Sequence, residues 1–306
     1  MISTKKIISF LGVPCGVGGR ILGCEDAPDF LRSKKIYRLF EPLGFQVEDQ
    51  GDVSPVNLPS LNFTPGFHQK PLIAAWCQAT QEVVEHTLNA QKFPFVLGGE
   101  HSIAIGTLSG VSRYCHAHGK KLFVLWLDAH ADFNTPETSY SGNIHGMPAA
   151  ILCGDGDPDL CRIVGKEYYL FPSHIYQIGL RSVDEKEKIR LHERGIHAYS
   201  MQHLDQLGIY HILNKILSFF ETQKNVHLHL SFDVDFLDGD LAPAVGTREP
   251  GGPSFREARL CFEMIAQSGL LGSMEIVEYN PRLDADKCTQ KILFDLLPFL
   301  FGKTLI

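Results

Sequence analysis

Seven short apolar runs punctuate the chain, at residues 7–11, 44–47, 95–97, 122–127, 175–178, 226–232 and 274–277. Several are almost unbroken, as strands covered on both faces are. Between them apolar positions recur at helical spacing, over 72–90, 103–118, 185–194, 210–221, 254–267 and 286–299. Strand and helix therefore alternate. This predicts an α/β fold, a single three-layer domain over residues 1–306 with a mostly parallel β-sheet flanked by helices. No repeat, low-complexity block or linker-like stretch divides it. In open α/β sheets ligands gather beyond the carboxyl ends of the strands.

Composition narrows the class without changing that picture. With 306 residues, 44% hydrophobic and 21% charged, the chain is an ordinary globular sequence. A chain of this length can bury roughly three quarters of its unfolded surface. Its formal net charge of -7, with no run of Lys or Arg, argues against a nucleic-acid partner. No apolar stretch approaches the roughly 18 residues that cross a bilayer, so no membrane association is expected. Lys5 and Lys6 precede an apolar segment, but Gly12, Pro14 and Gly16 interrupt it before it reaches the length of a secretory signal. That segment reads as a first buried strand and its turn. Eight cysteines without a CxxC pair suit reduced thiols in a cytoplasmic protein better than a disulfide framework or a zinc ribbon.

The candidate chemistry sits where the fold class places a site. Gly98-Gly99-Glu100-His101 follows the third run, Asp128-Ala129-His130-Ala131-Asp132 the fourth, Gly179-Leu180-Arg181 the fifth, Asp233-Val234-Asp235 the sixth and Glu278 the last. Side chains alternate along an extended segment, so Asp128, His130 and Asp132 point the same way. Asp233 and Asp235 repeat the arrangement. Together with His101 they make four carboxylates and two imidazoles. Crowded together without cations, most of these carboxylates would take up protons. Two divalent ions would let all four stay ionised, and a mixed nitrogen and oxygen set suits Mn²⁺, with Co²⁺, Ni²⁺, Fe²⁺ and Zn²⁺ also compatible.

On these segments the sequence resembles the ureohydrolases, and within them the arginases, over nearly the whole chain. Gly98-Gly99-Glu100-His101-Ser102, Asp128-Ala129-His130-Ala131-Asp132 and Ser231-Phe232-Asp233-Val234-Asp235 carry the likeness. The resemblance implies a binuclear Mn²⁺ centre. His101, Asp128, Asp132 and Asp233 would hold one ion; His130, Asp128, Asp233 and Asp235 would hold the other. Asn134, Ser141 and Asn143 match the residues that receive the α-carboxylate of arginine in arginases. Neutral amide and hydroxyl donors can bind a carboxylate without adding charge beside the metals. Asp184 and Glu187 match the segment that receives the α-ammonium, although acidic residues at a helix start also serve as caps. Ser182 departs from the pattern, standing where arginases commonly have Asp.

The activity implied is hydrolysis of L-arginine to L-ornithine and urea by a hydroxide bridging two Mn²⁺ ions. A guanidinium is a poor electrophile, and metal-bound water supplies a strong nucleophile near neutral pH. His145 matches the residue that protonates the leaving amine, Glu278 the one that binds the guanidinium, and Asp132 joins them as a catalytic residue. Alternation would put Glu275, the local competitor of Glu278, on the opposite face of a regular strand. Agmatinase, formimidoylglutamase and a non-catalytic paralogue are the competing readings; the Asn134, Ser141 and Asn143 set argues against the first two. Homo-oligomers, trimer or hexamer, are common in the family.

Overall fold

The computed structural model describes residues 7–56, 58 and 69–304, so Lys5, Lys6 and Leu305 lie outside the described residues. Eight strands form one sheet: β1 (Ile7–Val13), β2 (Gln46–Asp52), β3 (Phe93–Gly98), β4 (Lys121–Leu127), β5 (Ile175–Leu180), β6 (His197–Ser200), β7 (Val226–Asp233) and β8 (Leu271–Val277). Their spatial order is β2-β1-β3-β8-β7-β4-β5-β6. Every pairing within it is parallel, so the expected mostly parallel sheet is wholly parallel. The antiparallel bridge between Val245 and Tyr279 lies outside the strands.

Helices α1 (Ala27–Ser33), α2 (Lys70–Asn89), α3 (Ala104–Ala117), α4 (Pro148–Leu152), α5 (Pro158–Val164), α6 (Glu185–Arg194), α7 (Met201–Leu207), α8 (Ile209–Glu221), α9 (Phe255–Ser268) and α10 (Cys288–Leu300) connect and cover the strands. The strand period of two divides the core between the two sheet faces. On β4, Phe123, Leu125 and Leu127 join the side chains of α1, α7, α8, α9 and α10. Leu122, Val124 and Trp126 join those of α2 to α6 on the other face. Both faces of β4 are therefore filled, which is why its sequence shows no polar alternation.

All seven apolar runs lie in or overlap strands. The sequence reading missed β6, whose His-Ala-Tyr-Ser residues are half-buried throughout, as befits a short edge strand. It also missed α1, α4, α5 and α7, each too short to display a helical period; proline in the first turn of α1, α4 and α5 starts them instead. All eight cysteines are free thiols. No described helix is long and apolar enough to cross a membrane.

Candidate metal centre

Adjacent parallel strands end at the same edge of the sheet, so the loops after β3, β4, β7 and β8 meet there. The turn after β3 needs glycine. A Cβ on Gly99 would lie 1.8 Å from the Cys15 carbonyl oxygen, whose own role is to accept the Glu100 N–H at 2.8 Å. Glu100 then accepts from the Ser102 N–H at 2.9 Å and from its hydroxyl at 2.7 Å, capping the short turn that carries His101 inward.

His101 is buried, stacked on Trp126 with ring centroids 4.4 Å apart. Its Nε2 pairs with Ser231 Oγ at 2.8 Å, which leaves Nδ1 to face three carboxylate oxygens: Asp128 at 3.1 Å, Asp132 at 2.9 Å and Asp233 at 3.1 Å. That buried Nδ1 makes no hydrogen bond. His130 Nδ1 lies 2.9 Å from Asp235 Oδ2 and 3.6 Å from Asp128 Oδ1. Ligand atoms of His101, Asp128 and Asp233 converge in one group, and those of Asp128, His130 and Asp235 in a second. Asp128 belongs to both.

The remaining lone pairs are oriented by the protein. Trp126 Nε1 donates to Asp128 Oδ2 at 2.9 Å, the Asp235 N–H to Asp233 Oδ1 at 2.8 Å, and the Ala129 N–H to Asp235 Oδ1 at 3.0 Å. Burial, reinforced by the charges of Asp235 and Asp128, pushes the Asp233 carboxyl well above its usual range. Burial and the Asp128 charge push Asp132 up to about 6. Burial also raises Asp235, although His130 opposes it. Asp128 stays low because the two imidazoles outweigh the cost of its burial. Three buried carboxyls that resist ionising, two of them facing the His101 Nδ1 that lacks a hydrogen bond and the third facing His130, form a donor set that fits divalent cations.

Behind His101 a polar chain runs between the paired β7 and β8. Ser231 Oγ donates to Glu275 Oε1 at 2.7 Å, His229 Nε2 lies 3.7 Å from the same oxygen, and His229 and His227 both reach Ser273 Oγ, at 2.9 and 2.8 Å. Glu275 is thus committed to the sheet interior. Glu278 follows the end of β8 with φ 65°, so it leaves the strand alternation altogether. Its Oε1 accepts from the His101 N–H at 3.0 Å and pairs with His145 Nδ1 at 2.8 Å, while Oε2 has the weak Cys24 thiol at 3.6 Å.

One pocket opens over this cluster. His130, Asp132, Asp233, His145 and Glu278 line it together with Asn134, Ser141, Asn143, Ser182, Asp184, Glu187 and Thr247. His101, Asp128 and Asp235 are buried, at 1%, 0% and 1% exposure, and are absent from the lining. Asn134 Nδ2 donates to Asp184 Oδ2 at 3.0 Å, and the Asn143 N–H to Ser141 Oγ at 3.2 Å. The side-chain oxygen of Asn143 is buried without a partner. Asp184 and Glu187 form a capping box on α6, and both also line the pocket. Glu187 is tied to the Phe133 N–H at 2.7 Å and the Asp184 N–H at 3.2 Å.

Arg181, which the sequence places at the end of the fifth apolar run without a role, fastens these loops together. The Arg181 guanidinium donates to the backbone carbonyls of Asp235 at 2.7 Å, Leu237 at 2.9 Å, Glu249 at 2.9 Å and Pro250 at 3.1 Å. It pins both ends of the segment after β7 to the end of β5. Only its place at a strand end, one residue before Ser182, could have drawn attention to it.

The Arginase family model matches residues 6–300. Arginase of Bacillus caldovelox is 38% identical over 304 residues, covering 98% of this chain and 100% of that protein. The crystal structure of arginase from Bacillus subtilis superposes with a TM-score of 0.88 at 38% identity, covering 98% of this chain and 100% of that one. The native structure of the Bacillus caldovelox arginase gives 0.90, again at 38% identity and with the same 98% and 100% coverage. With a wholly parallel sheet of matching architecture and a shared-aspartate cluster at its carboxyl edge, this chain belongs to the arginase family.

Proposed function

We propose that the chain is a metal-dependent amidinohydrolase that converts L-arginine and water to L-ornithine and urea, acting as one domain over residues 1–306. The observation that carries this reading is a pocket lined both by His130, Asp132 and Asp233 of the aspartate and histidine cluster and by Asn134, Ser141, Asn143 and Asp184. The cation is Mn²⁺, two per chain, with Co²⁺ or another divalent ion as substitute. His101, Asp128, Asp132 and Asp233 hold one ion, and His130, Asp128, Asp233 and Asp235 the other. The chemistry such ions supply is activation of water to a nucleophile near neutral pH. The reading includes a cytoplasmic location, a homo-oligomer (trimer or hexamer) and neither a nucleic-acid nor a membrane partner; the family likeness and the net charge of -7 favour it.

The chain's own residues bind and orient the substrate and move a proton. Asn134, Ser141 and Asn143 receive the α-carboxylate, and Asp184 and Glu187 the α-ammonium. The Glu278 carboxylate accepts N–H groups of the guanidinium, for which a planar carboxylate fork is suited. Asp132, a ligand that also lines the pocket, counts with the catalytic residues. His145 donates its proton to the leaving amine. Burial opposes charging of this imidazole, but Glu278 outweighs that effect and lifts it to about 9. His145 is therefore cationic at neutral pH, and kcat is expected to fall as the pH rises through about 9. The stabilising part of the same shift is complete below the ordinary histidine range near 6.5 and is lost through the same alkaline interval. A kcat profile of the wild type against His145→Asn tests this; a wild-type profile without an alkaline limb counts against the assignment.

Urea release from L-arginine and agmatine, offered in parallel to Mn²⁺-loaded protein, tests the function itself. Urea from arginine alone supports the reading. Preference for agmatine would keep the metal centre and overturn the substrate, and silence on both would point to another amidino compound or a non-catalytic paralogue. Asn143→Ala is expected to raise KM for arginine about 10- to 100-fold, the effect of losing a hydrogen bond to a charged group. Two ions should remain bound, and loss of metal in this variant would refute its role.

A further inference from the structure

His130 faces the metal cluster with Nδ1, and its other nitrogen points to a residue that the function above does not use. Glu249 Oε1 lies 3.8 Å from His130 Nε2, within ion-pairing range, with the Glu249 side chain 33% exposed. The backbone there is held rather than loose. The Glu249 carbonyl accepts from Arg181 Nη2 at 2.9 Å and from the Gly239 N–H at 3.1 Å, and Arg181 Nε reaches the next carbonyl, Pro250, at 3.1 Å. The facing loop brings the neutral Ser182 hydroxyl and the positive charge of Arg181 near the same carboxylate.

We propose that Glu249 is a positioning residue for His130: its carboxylate, 3.8 Å from Nε2, holds the proton on that nitrogen by charge, favouring the tautomer that presents Nδ1 to the ion shared with Asp128 and Asp235. Outer carboxylates of this kind orient a ligating imidazole and increase its basicity, and their loss weakens metal binding about 10- to 100-fold. The proposal rests on the two-ion reading above. It adds an asymmetry, because Glu249 contacts the ligand of one ion and not the His101 group.

The test is an equilibrium titration of the whole chain with Mn²⁺ alone, counting bound ions in wild type, Glu249→Ala, Glu249→Asp and Arg248→Ala. Arg248 is the neighbouring comparator, paired with exposed Asp240. Glu249→Ala is expected to weaken one of the two ions about 10- to 100-fold and leave the other unchanged. Glu249→Asp should recover part of the loss, and Arg248→Ala should match wild type. In ¹⁵N-imidazole spectra of protein loaded with diamagnetic Zn²⁺, the His130 Nε2–H should exchange faster with solvent in Glu249→Ala than in wild type. Two ions bound with wild-type affinity in Glu249→Ala overturn the proposal. So does equal weakening of both ions, which would indicate damage to the fold, or a wild type that binds no ion at the His130 group. Because no substrate is present, these outcomes are separate from the urea assay. A wild type that binds two ions and releases no urea from arginine refutes the function while the Glu249 comparison still stands.

Discussion

Replacing Asp128 with asparagine is expected to empty both ion positions at once and abolish urea release. The side chain is fully buried, and its two oxygens reach different imidazoles, Oδ2 to His101 at 3.1 Å and Oδ1 to His130 at 3.6 Å. It is the residue common to the two ligand groups. An asparagine of the same shape could keep the Trp126 Nε1 donation at its carbonyl oxygen. It would lose the charge and put an amide where a second acceptor is needed. Removing one partner of a buried charge pair costs about 3–5 kcal/mol, which corresponds to roughly 10²- to 10³-fold in affinity for each ion. Mn²⁺ content after gel filtration should fall from two per chain toward none. The rise in Tm that Mn²⁺ gives by binding the folded state should disappear with it. Two ions retained by Asp128→Asn would refute the shared-ligand assignment.

A second buried carboxylate should behave in the opposite way. Glu278→Gln is expected to lower kcat/KM for arginine by about 10²- to 10³-fold, the same buried-pair cost, while both ions stay bound. Glu278 is outside both ligand groups, and its contacts run to the His101 backbone N–H and to His145. A glutamine can accept those through its carbonyl oxygen but offers a guanidinium no charge. Parallel metal analysis and steady-state kinetics separate the two variants. If Glu278→Gln lost its metal, the residue would belong to the ligand shell and the guanidinium assignment would fall.

What could be read from the sequence follows from how local each signal is. Strands buried on both faces, such as β4, announce themselves as apolar runs, and the ligand residues directly follow those runs. The edge strand β6 and the short α4 and α5 did not, because their order comes from packing rather than from a period of their own. Glu275 and Glu278 differ by three positions, and alternation separated their faces correctly in outcome. The deciding feature was nevertheless the φ of 65° at Glu278, which no residue pattern encodes. The roles of Arg181, Trp126 and Glu249 are not legible for a related reason: each acts through oxygens or rings that the fold delivers to it. Trp126 in particular sits inside an apolar run and reads as core, which it also is.

The position of β8 has a consequence for how the chain is made. Among the described residues it is the last strand in sequence, yet it lies between β3 and β7 and alone joins β2-β1-β3 to β7-β4-β5-β6. During synthesis from the N-terminus, the two half-sheets have no ladder between them until residues 271–277 are available. Each meanwhile exposes an edge, β3 with all six residues destined for burial and β7 with seven of eight. Unpaired apolar edges of this kind recruit other chains. His101 rides on the first half, while the other five ligands ride on the second. A nascent chain halted before β8 could assemble the Asp128, His130 and Asp235 group but could not close the one containing His101. Ribosome-bound intermediates of this protein should therefore depend on a chaperone up to the insertion of a single seven-residue segment.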